Sequence, residues 1–475
     1  MFSCSKARRC TSELRNCIPR HPRSACLAAF SLAGSTGPAT IRVVCRLGPR
    51  GGVGTARRTG VPIWPCKLRP PARELLRKKN GGTRCQFSTV PGQGQYSVWE
   101  KGSPLNILII SLRGPSNHWR AGGGEEVMTQ VGKCWVEDGH HVRVLCTREG
   151  PRFPSGETVQ GVEVVRSGSF HSALPSLAWR YRKDHLPWAD VVLESILAYP
   201  LYVPLYSRRP TCALVFHVMG RSWFEVLPFP KALFGYLTER SIPHFYRQNT
   251  LIAISEGTRA DVVGLGVPRH RVVVAPCGVD TQRYVPGHRS ARPLICFVGR
   301  LDDRRKRVED LIDVFPYIAE QVPDAQLVIA GGGRREAELR RRAAGSKNVE
   351  FVGFIEEDEK IDLYQRSWVG VFPSGKEGFL LTALEASACG TPVVTYEHPG
   401  LTTVVDGKTG LVVPQGEPQR LARAVVSLLK NPQKRLEMGR AARAHACKFT
   451  WPGMADIILK ELSQDRGERT VNQAR

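Results

Sequence analysis

From Leu105 onward, short apolar, β-rich runs alternate with segments whose apolar residues recur at helical spacing, and this alternation limits the folds open to the chain more than any other feature. The run Leu105-Asn106-Ile107-Leu108-Ile109-Ile110-Ser111 has the near-continuous hydrophobicity of a strand buried on both faces. Val127, Val131, Cys134 and Trp135 follow at helical spacing, Asp138-Gly139 supplies a stop, and Val142 to Cys146 reads as a second strand. Strand, helix, strand is the βαβ unit. Runs at Val162 to Val165, Val191 to Leu193, Ala213 to Phe216, Leu251 to Ile254 and Val272 to Ala275 extend one open, mostly parallel sheet. Thr281 to Pro293 then carries two prolines, a glycine and no apolar period, as an interdomain hinge would. The alternation restarts with strands at Leu294 to Val298, Leu327 to Ala330, Val349 to Val352, Val369 to Phe372 and Val393 to Thr395. Helical stretches such as Val308 to Glu320 and Thr382 to Cys389 separate them, and a helical tail runs from about Pro418 to Leu462. The expected architecture is α/β: two Rossmann-like, doubly wound domains over 101–285 and 286–450, then a C-terminal helix and tail over 451–475. Ligands of such folds bind where the strands end, here in the cleft between the halves.

Composition narrows the classes further. The chain has 475 residues, 42% hydrophobic and 23% charged, which is globular. No stretch approaches the roughly 20 apolar residues of a membrane-spanning helix. The best early candidate, Cys26 to Leu32, is seven residues long. The net charge of +25 would suggest a nucleic-acid or anionic-lipid partner, but residues 1–100 carry +15 of it and the other 375 residues only +10. Those first 100 residues are rich in Arg, Pro, Gly, Ser and Cys and contain three acids, Glu13, Glu74 and Glu100. That is transit-peptide composition, implying a plastid or mitochondrion, with a basic arm or a mis-assigned start codon, and hence a cytoplasmic location, as the alternatives. Half of the 14 cysteines lie in the same leader, and no Cys-x-x-Cys or Cys/His ligand spacing occurs, so neither zinc nor a disulfide framework is indicated.

Three motifs sit where strands are expected to end. Gly122-Gly123-Gly124-Glu125 runs into the first helix, where free amides favour a phosphate or a sugar hydroxyl, although a plain flexible loop fits the same residues. Phe297-Val298-Gly299-Arg300-Leu301 is followed by Lys306, two cations able to neutralise a diphosphate without a metal ion or, among Arg304, Arg305 and Arg307, simply a solvated cluster. Pro373-Ser374-Gly375-Lys376-Glu377-Gly378-Phe379 leads to Glu385 in Leu384-Glu385-Ala386-Ser387-Ala388-Cys389-Gly390-Thr391-Pro392. Glu377 lies in the loop after a strand and Glu385 eight residues later on the helix which that loop feeds; eight residues along a helix is slightly over two turns, so the second carboxylate would point toward the same cleft mouth. Carboxylates accept bidentately from vicinal sugar hydroxyls.

Gly299-Arg300-Leu301 with Lys306, Leu327 to Gly333, Val352-Gly353-Phe354, Glu377 to Glu385, Gly390 to Val394, Asp406 to Leu411 and Phe449-Thr450-Trp451 occur in the order and context of retaining glycosyltransferase family 4, which residues 105–463 resemble over nearly their whole length. The resemblance implies a GT-B fold and transfer of a hexose from a UDP- or GDP-linked donor to a hydroxyl of a glycan, lipid or small molecule. No cofactor beyond the nucleotide sugar, no metal and no nucleic-acid partner are expected. By the same resemblance His217 and Glu377 are the catalytic positions, and Arg300 and Lys306 bind the donor diphosphate. Gly122, Gly123 and Gly124 close over the diphosphate, Gly378, Phe379, Leu380 and Leu381 line the donor, and Glu385 takes the ribose. A front-face mechanism without a protein nucleophile is implied, and the helix at Trp451 is expected to cross back to the first domain.

Departures from the family pattern are an insertion that makes Arg305 an alternative diphosphate ligand, Leu380 where Gly is common, and Cys277 in place of the usual Pro-Asn-Gly sequence. The competing readings are a silent sugar-nucleotide-binding homologue and an NAD-dependent oxidoreductase. The latter lacks its Gly-x-Gly-x-x-Gly fingerprint here. A basic first-domain surface, Arg180 to Lys183 with Arg208-Arg209, is a candidate peripheral membrane contact.

Overall fold

The computed structural model describes residues 103–116, 122–148, 150 and 153–473, together with two strands upstream. Those strands, β1 (Leu27–Ser31) and β2 (Arg42–Arg46), pair antiparallel within a unit spanning Met1–Lys101. Otherwise the basic leader read as a transit peptide lies outside the described residues.

Gly102–Arg475 forms the second unit and contains two sheets. The first comprises β3 (Asn106–Ser111), β4 (His141–Cys146), β5 (Gly156–Val159), β6 (Val162–Arg166), β7 (Val191–Ile196), β8 (Thr211–Val215), β9 (Leu251–Ala253) and β10 (Val272–Val274). Its order is β10-β9-β8-β7-β3-β4-β6-β5, parallel except at the β5–β6 hairpin. The second comprises β11 (Leu294–Val298), β12 (Gln326–Ala330), β13 (Val349–Gly353), β14 (Val369–Phe372), β15 (Val393–Tyr396) and β16 (Gly410–Val413). It is parallel throughout, in the order β13-β12-β11-β14-β15-β16. The expected apolar runs thus form the two sheets. Two strands lie beyond the sequence reading. β5 has almost no apolar run, and its two-residue turn carries Gln160 at φ 49° where Asn or Asp would have signalled a hairpin. β16 consists of only four residues.

The helices that matter below are α1 (Gly123–Glu137), α2 (Ala173–Arg180), α3 (Phe229–Arg240), α4 (Glu256–Gly264), α5 (Val308–Gln321), α6 (Glu357–Arg366), α7 (Leu381–Ala388), α8 (Pro418–Lys430), α9 (Pro432–Ala446) and α10 (Trp451–Gln473). Strand order reverses beside β3 in the first sheet and between β11 and β14 in the second. The loops leaving β3, β11 and β14 are the three that carry the motifs, so each motif sits at a switch point, where the diverging connections open a crevice.

The core explains why these runs are strands. Ile107, Leu108, Ile109 and Ile110 of β3 are all fully buried, as a central strand covered on both faces requires. One helix of that cover comes from the far end of the chain. The buried Trp135 of α1 donates its indole N–H to the Ala455 carbonyl of α10 at 3.1 Å, and Met454, Ala455, Ile458 and Leu462 are buried with it. The crossing is close: a Cβ on Gly278 would lie 2.2 Å from the backbone nitrogen of Trp451. Nearby, Val279 donates its N–H to the Phe449 carbonyl at 3.1 Å. Gly278→Ala should therefore force backbone against backbone and cost about 1–3 kcal/mol. Urea unfolding would read this as a lower midpoint at unchanged slope, and an unchanged midpoint would show that the crossing is loose.

Candidate functional site

Beyond β11 the chain turns at Gly299, whose N–H bonds to Ala330 O at 3.0 Å, and lies beside the loop that follows β12. Gly331, at φ 132°, leaves no room for a side chain, since its Cβ would sit 1.9 Å from the Gly299 carbonyl oxygen. Asp303 then caps the turn Arg304–Lys306 by accepting the Arg305 N–H at 3.1 Å. It also takes the Arg305 guanidinium with two bonds of 2.9 and 2.8 Å. Burial works against the Asp303 charge, but Arg305 overcomes it and brings its pKa down to about 2.

This clamp sends the neighbouring cations in different directions. Arg305 turns inward, with Nη1 2.9 Å from the Met219 sulfur of the first domain. Lys306 meets Glu377 at 2.6 Å. Arg300 points outward, its side chain 60% exposed and 3.6 Å from Asp303. Of the two cations expected to serve the diphosphate, Lys306 is thus largely buried against Glu377 and Arg300 is exposed, whereas Arg305 is enclosed beside the first domain.

The loop after β14 brings Glu377 to Lys306 and Gly378 against the first domain, where a Cβ on Gly378 would come 2.1 Å from the carbonyl oxygen of Phe216. Phe216 precedes His217, so the strand end of β8 and the Glu377 loop share one wall of the cleft. Burial disfavours the Glu377 charge, but Lys306 and then Arg305 hold its pKa below the usual carboxylate range. Burial and next the Arg305 guanidinium push His217 down to about 4, so its imidazole is neutral at pH 7. Glu239 of α3 fixes the following turn by accepting the N–H groups of Met219 and Gly220 at 2.7 and 2.8 Å.

Leu380 caps α7 at φ 62°, a left-handed conformation that costs a non-glycine residue roughly 1–3 kcal/mol. The position where glycine is common thus keeps a glycine's backbone with a buried leucine side chain; Phe379 beside it is buried as well. Leu381 begins α7, and its Cδ1 lies 3.3 Å from where a Gly123 Cβ would be. Gly122 caps α1, and Gly123 and Gly124 form its first turn. The N-termini of α1 and α7 therefore approach each other across the cleft, and free amides with partial positive charge favour an anion there.

Glu385 lies on α7, whereas Glu377 lies in the loop before it. The helix starts only at Leu381, so about one turn rather than two separates its start from Glu385. Each carboxylate has its own lysine: Glu385 accepts from Lys360 at 3.2 Å and from the Tyr364 hydroxyl at 3.0 Å, both on α6. Burial raises the Glu385 pKa despite Lys360. Burial also opposes the Lys360 charge, but Glu385 and Glu357 outweigh it and raise its pKa.

Sequence reasoning missed Lys360, Tyr364, Glu239 and His398. Lys360 and Tyr364 are four apart, one helix face, and that spacing was the available signal. His398 has no motif around it. It is buried, its Nδ1 lies 3.0 Å from the Pro399 carbonyl oxygen, its Nε2 has no partner, and it feels the charges of Glu377 and Lys306.

The model of "Glycosyltransferase Family 4" matches residues 121–283 and that of "Glycosyl transferases group 1" residues 279–445. A Mycobacterium tuberculosis protein, GDP-mannose-dependent alpha-(1-6)-phosphatidylinositol dimannoside mannosyltransferase, is 33% identical over 376 residues, 75% of this chain and 95% of its own length. The chain belongs to glycosyltransferase family 4. A Corynebacterium glutamicum relative, a GDP-mannose-dependent monoacylated alpha-(1-6)-phosphatidylinositol monomannoside mannosyltransferase, is 32% identical over 212 residues, or 40% of this chain. The chain spans about half the length, 55%, of that relative. Among solved structures, sucrose-phosphate synthase from Thermosynechococcus elongatus superposes with a TM-score of 0.64 at 22% identity, covering 78% of this chain and 100% of that one. The likeness establishes the GT-B fold.

The Lys306–Glu377 pair yields a prediction with a sign. The pKa of Glu377 is depressed in the folded protein, so its stabilising contribution is present above the ordinary carboxylate pKa and lost as pH falls through the lower folded value. In Lys306→Met, burial acts on Glu377 with less opposition, and its folded pKa moves upward. The difference in unfolding free energy between wild type and variant should then widen as pH rises from about 4 to 7, toward about 3 kcal/mol. A difference independent of pH would mean that the pair is not the source of the coupling.

Proposed function

We propose that the protein transfers a hexose from a nucleoside-diphosphate sugar to an acceptor hydroxyl with retention at the anomeric carbon. One observation carries the reading: Lys306, Glu377, His217 and the N-termini of α1 and α7 converge on a single cleft between two switch points. Breaking the anomeric bond builds negative charge on the departing diphosphate and positive charge on the ring. The helix N-termini and Lys306 stabilise the first, and Arg300 has the freedom to swing in beside them; Arg305, held by Asp303, is the alternative. Donors already oriented toward the developing charge need little reorganisation as the bond breaks. Glu377 orients the donor sugar, and neutral His217 hydrogen-bonds near the reacting carbon. Glu385 holds the ribose after exchanging its contacts with Lys360 and Tyr364 for the sugar hydroxyls. In the front-face course that the family favours, the leaving phosphate takes the acceptor proton.

The names of the relatives bring GDP-mannose forward as donor and a phosphatidylinositol glycolipid as acceptor. A lipid-linked acceptor and peripheral membrane contact are the finer form of the proposal. The basic leader is read as directing the enzyme to an organelle.

Two measurements test this. Melting the full chain with GDP, UDP, ADP and NAD in turn should give one nucleoside diphosphate that stabilises by about 2.7 kcal/mol at 100 times its dissociation constant. That shift should disappear in Glu385→Ala; stabilisation by NAD alone would overturn the donor assignment. For the transfer itself, a His217 that stays neutral down to about pH 4 gives kcat/KM no acid limb at the ordinary histidine pKa. Arg305→Met, which removes a repelling cation, should move the limb upward. A wild-type limb near 6.5 that His217→Gln abolishes would contradict the assignment.

A further inference from the structure

Helix α3 turns its large apolar residues away from the protein interior. Its inward face buries Ala232, Gly235, Thr238 and Glu239, small or polar residues, with Gly235 packed so closely on Trp223 that a Cβ would meet the indole at 2.7 Å. Its outward face presents Phe229, Leu233, Phe234 and Leu237, of which Phe229 is 67% exposed and Leu237 56%. An outward helical stripe normally carries the polar residues.

The stripe continues into its surroundings. Phe224 contacts both Phe229 and Tyr236, with ring centroids 6.0 and 5.8 Å apart. Phe234 contacts Tyr199, and Tyr199 contacts the exposed Phe170, each at 5.8 Å. Phe170 leads into α2, where Trp179 is 57% exposed and carries the Lys183 ammonium 4.8 Å above its ring. Cations accompany this apolar face: Arg182, Lys183, Arg221, Lys231 and Arg240 are exposed, and Arg240 lies over Tyr236 at 5.9 Å. The acids of the region are largely engaged elsewhere. Asp184 pairs with Arg180 at 2.7 Å, and Glu194 and Glu239 are buried. Glu225 is exposed and near enough for Arg305 of the cleft to feel its charge. The basic surface expected from sequence is accordingly smaller and displaced, since Arg180 is paired and Arg209 donates to the Leu186 carbonyl at 3.2 and 3.0 Å.

We propose that this face of the first domain is a docking surface for an anionic lipid bilayer, with Phe229, Phe234, Leu237 and Trp179 seated at the boundary of headgroups and acyl chains. Aromatic side chains interleaved with Lys and Arg match that boundary, because the rings leave water while the cations meet lipid phosphates. A second copy of the chain matches it less well: an isologous contact sets a patch against itself, and here that opposes cations to cations. The same helix holds the catalytic turn, since Glu239 on its inner face binds Met219 and Gly220 just after His217. Docking thus sets the acceptor side of the cleft beside the membrane, where a lipid-linked hydroxyl enters without leaving the bilayer. The inference deepens the transferase reading, on which its acceptor class rests.

The test is co-sedimentation of the full chain with phosphatidylcholine vesicles containing phosphatidylglycerol, at about 0.5 M salt, where attraction between the basic leader and the lipid is largely screened. The triple variant Phe229→Ser, Phe234→Ser, Leu237→Ser should partition at least about tenfold more weakly than wild type. Equal partitioning would overturn the proposal, as would a lipid-free wild-type dimer that the variant converts to monomer in sedimentation velocity. The melting shift with nucleoside diphosphate serves as the fold control, because the three residues lie outside the donor site. Its loss from wild type and variant alike would sink the transferase reading while leaving the partition result intact.

Discussion

A lysine and a glutamate 2.6 Å apart, each side chain less than one fifth exposed, hold the cleft in its shape. Lys306 ends the turn after β11 and Glu377 lies in the loop after β14, the two strands between which the order of the second sheet reverses. Neither charge is stable alone in so dry a place, and together they fix two loops that the backbone does not connect directly. The Asp303–Arg305 clamp beside them has a different task. It holds the Arg305 guanidinium against the Met219 sulfur, where its field adds to burial in keeping His217 uncharged. The site therefore keeps an ammonium, a carboxylate and a neutral imidazole in their separate ionisation states within one small volume.

Much of this was legible in the sequence because strand ends carry motifs. Gly122 to Gly124, Gly299 to Lys306 and Glu377 to Glu385 all lie at switch points, so reading the strand order coarsely was enough to gather them. What sequence spacing could not supply was direction. The linear motif puts Arg300 forward with Arg305 as the alternative, and it is Asp303, which caps a turn and grips the Arg305 guanidinium with one carboxylate, that turns Arg305 inward. Glu377 in the loop and Glu385 on the helix it feeds read as a pair at one cleft mouth, but the left-handed Leu380 delays the helix to Leu381, and each carboxylate meets a separate lysine. His398 stands beside the pair with no local pattern to announce it. It lies two residues past the end of β15, and its nearness to Glu377 and Lys306 is something no short window of sequence records.

The outer surface of α3 shows the same limit from the other side. In the linear sequence Phe229, Leu233, Phe234 and Leu237 look like a core stripe, and nothing local reveals that the core lies on the opposite face. Burial reverses the meaning of the pattern. Gly235 against Trp223 and Glu239 against two backbone amides show what the helix packs on, and the apolar stripe is what remains outside.

The crossing of α10 links the two ends of the folded region. Trp135 belongs to the first helix of the first domain, yet its indole N–H is satisfied by Ala455, 320 residues later. On a ribosome the second domain can gather its six parallel strands while the first still lacks part of its cover. The domain made first is thus completed last, and until α10 arrives the face it will cover is available to chaperones or to another nascent chain. Order of synthesis and order of completion run in opposite directions in this protein.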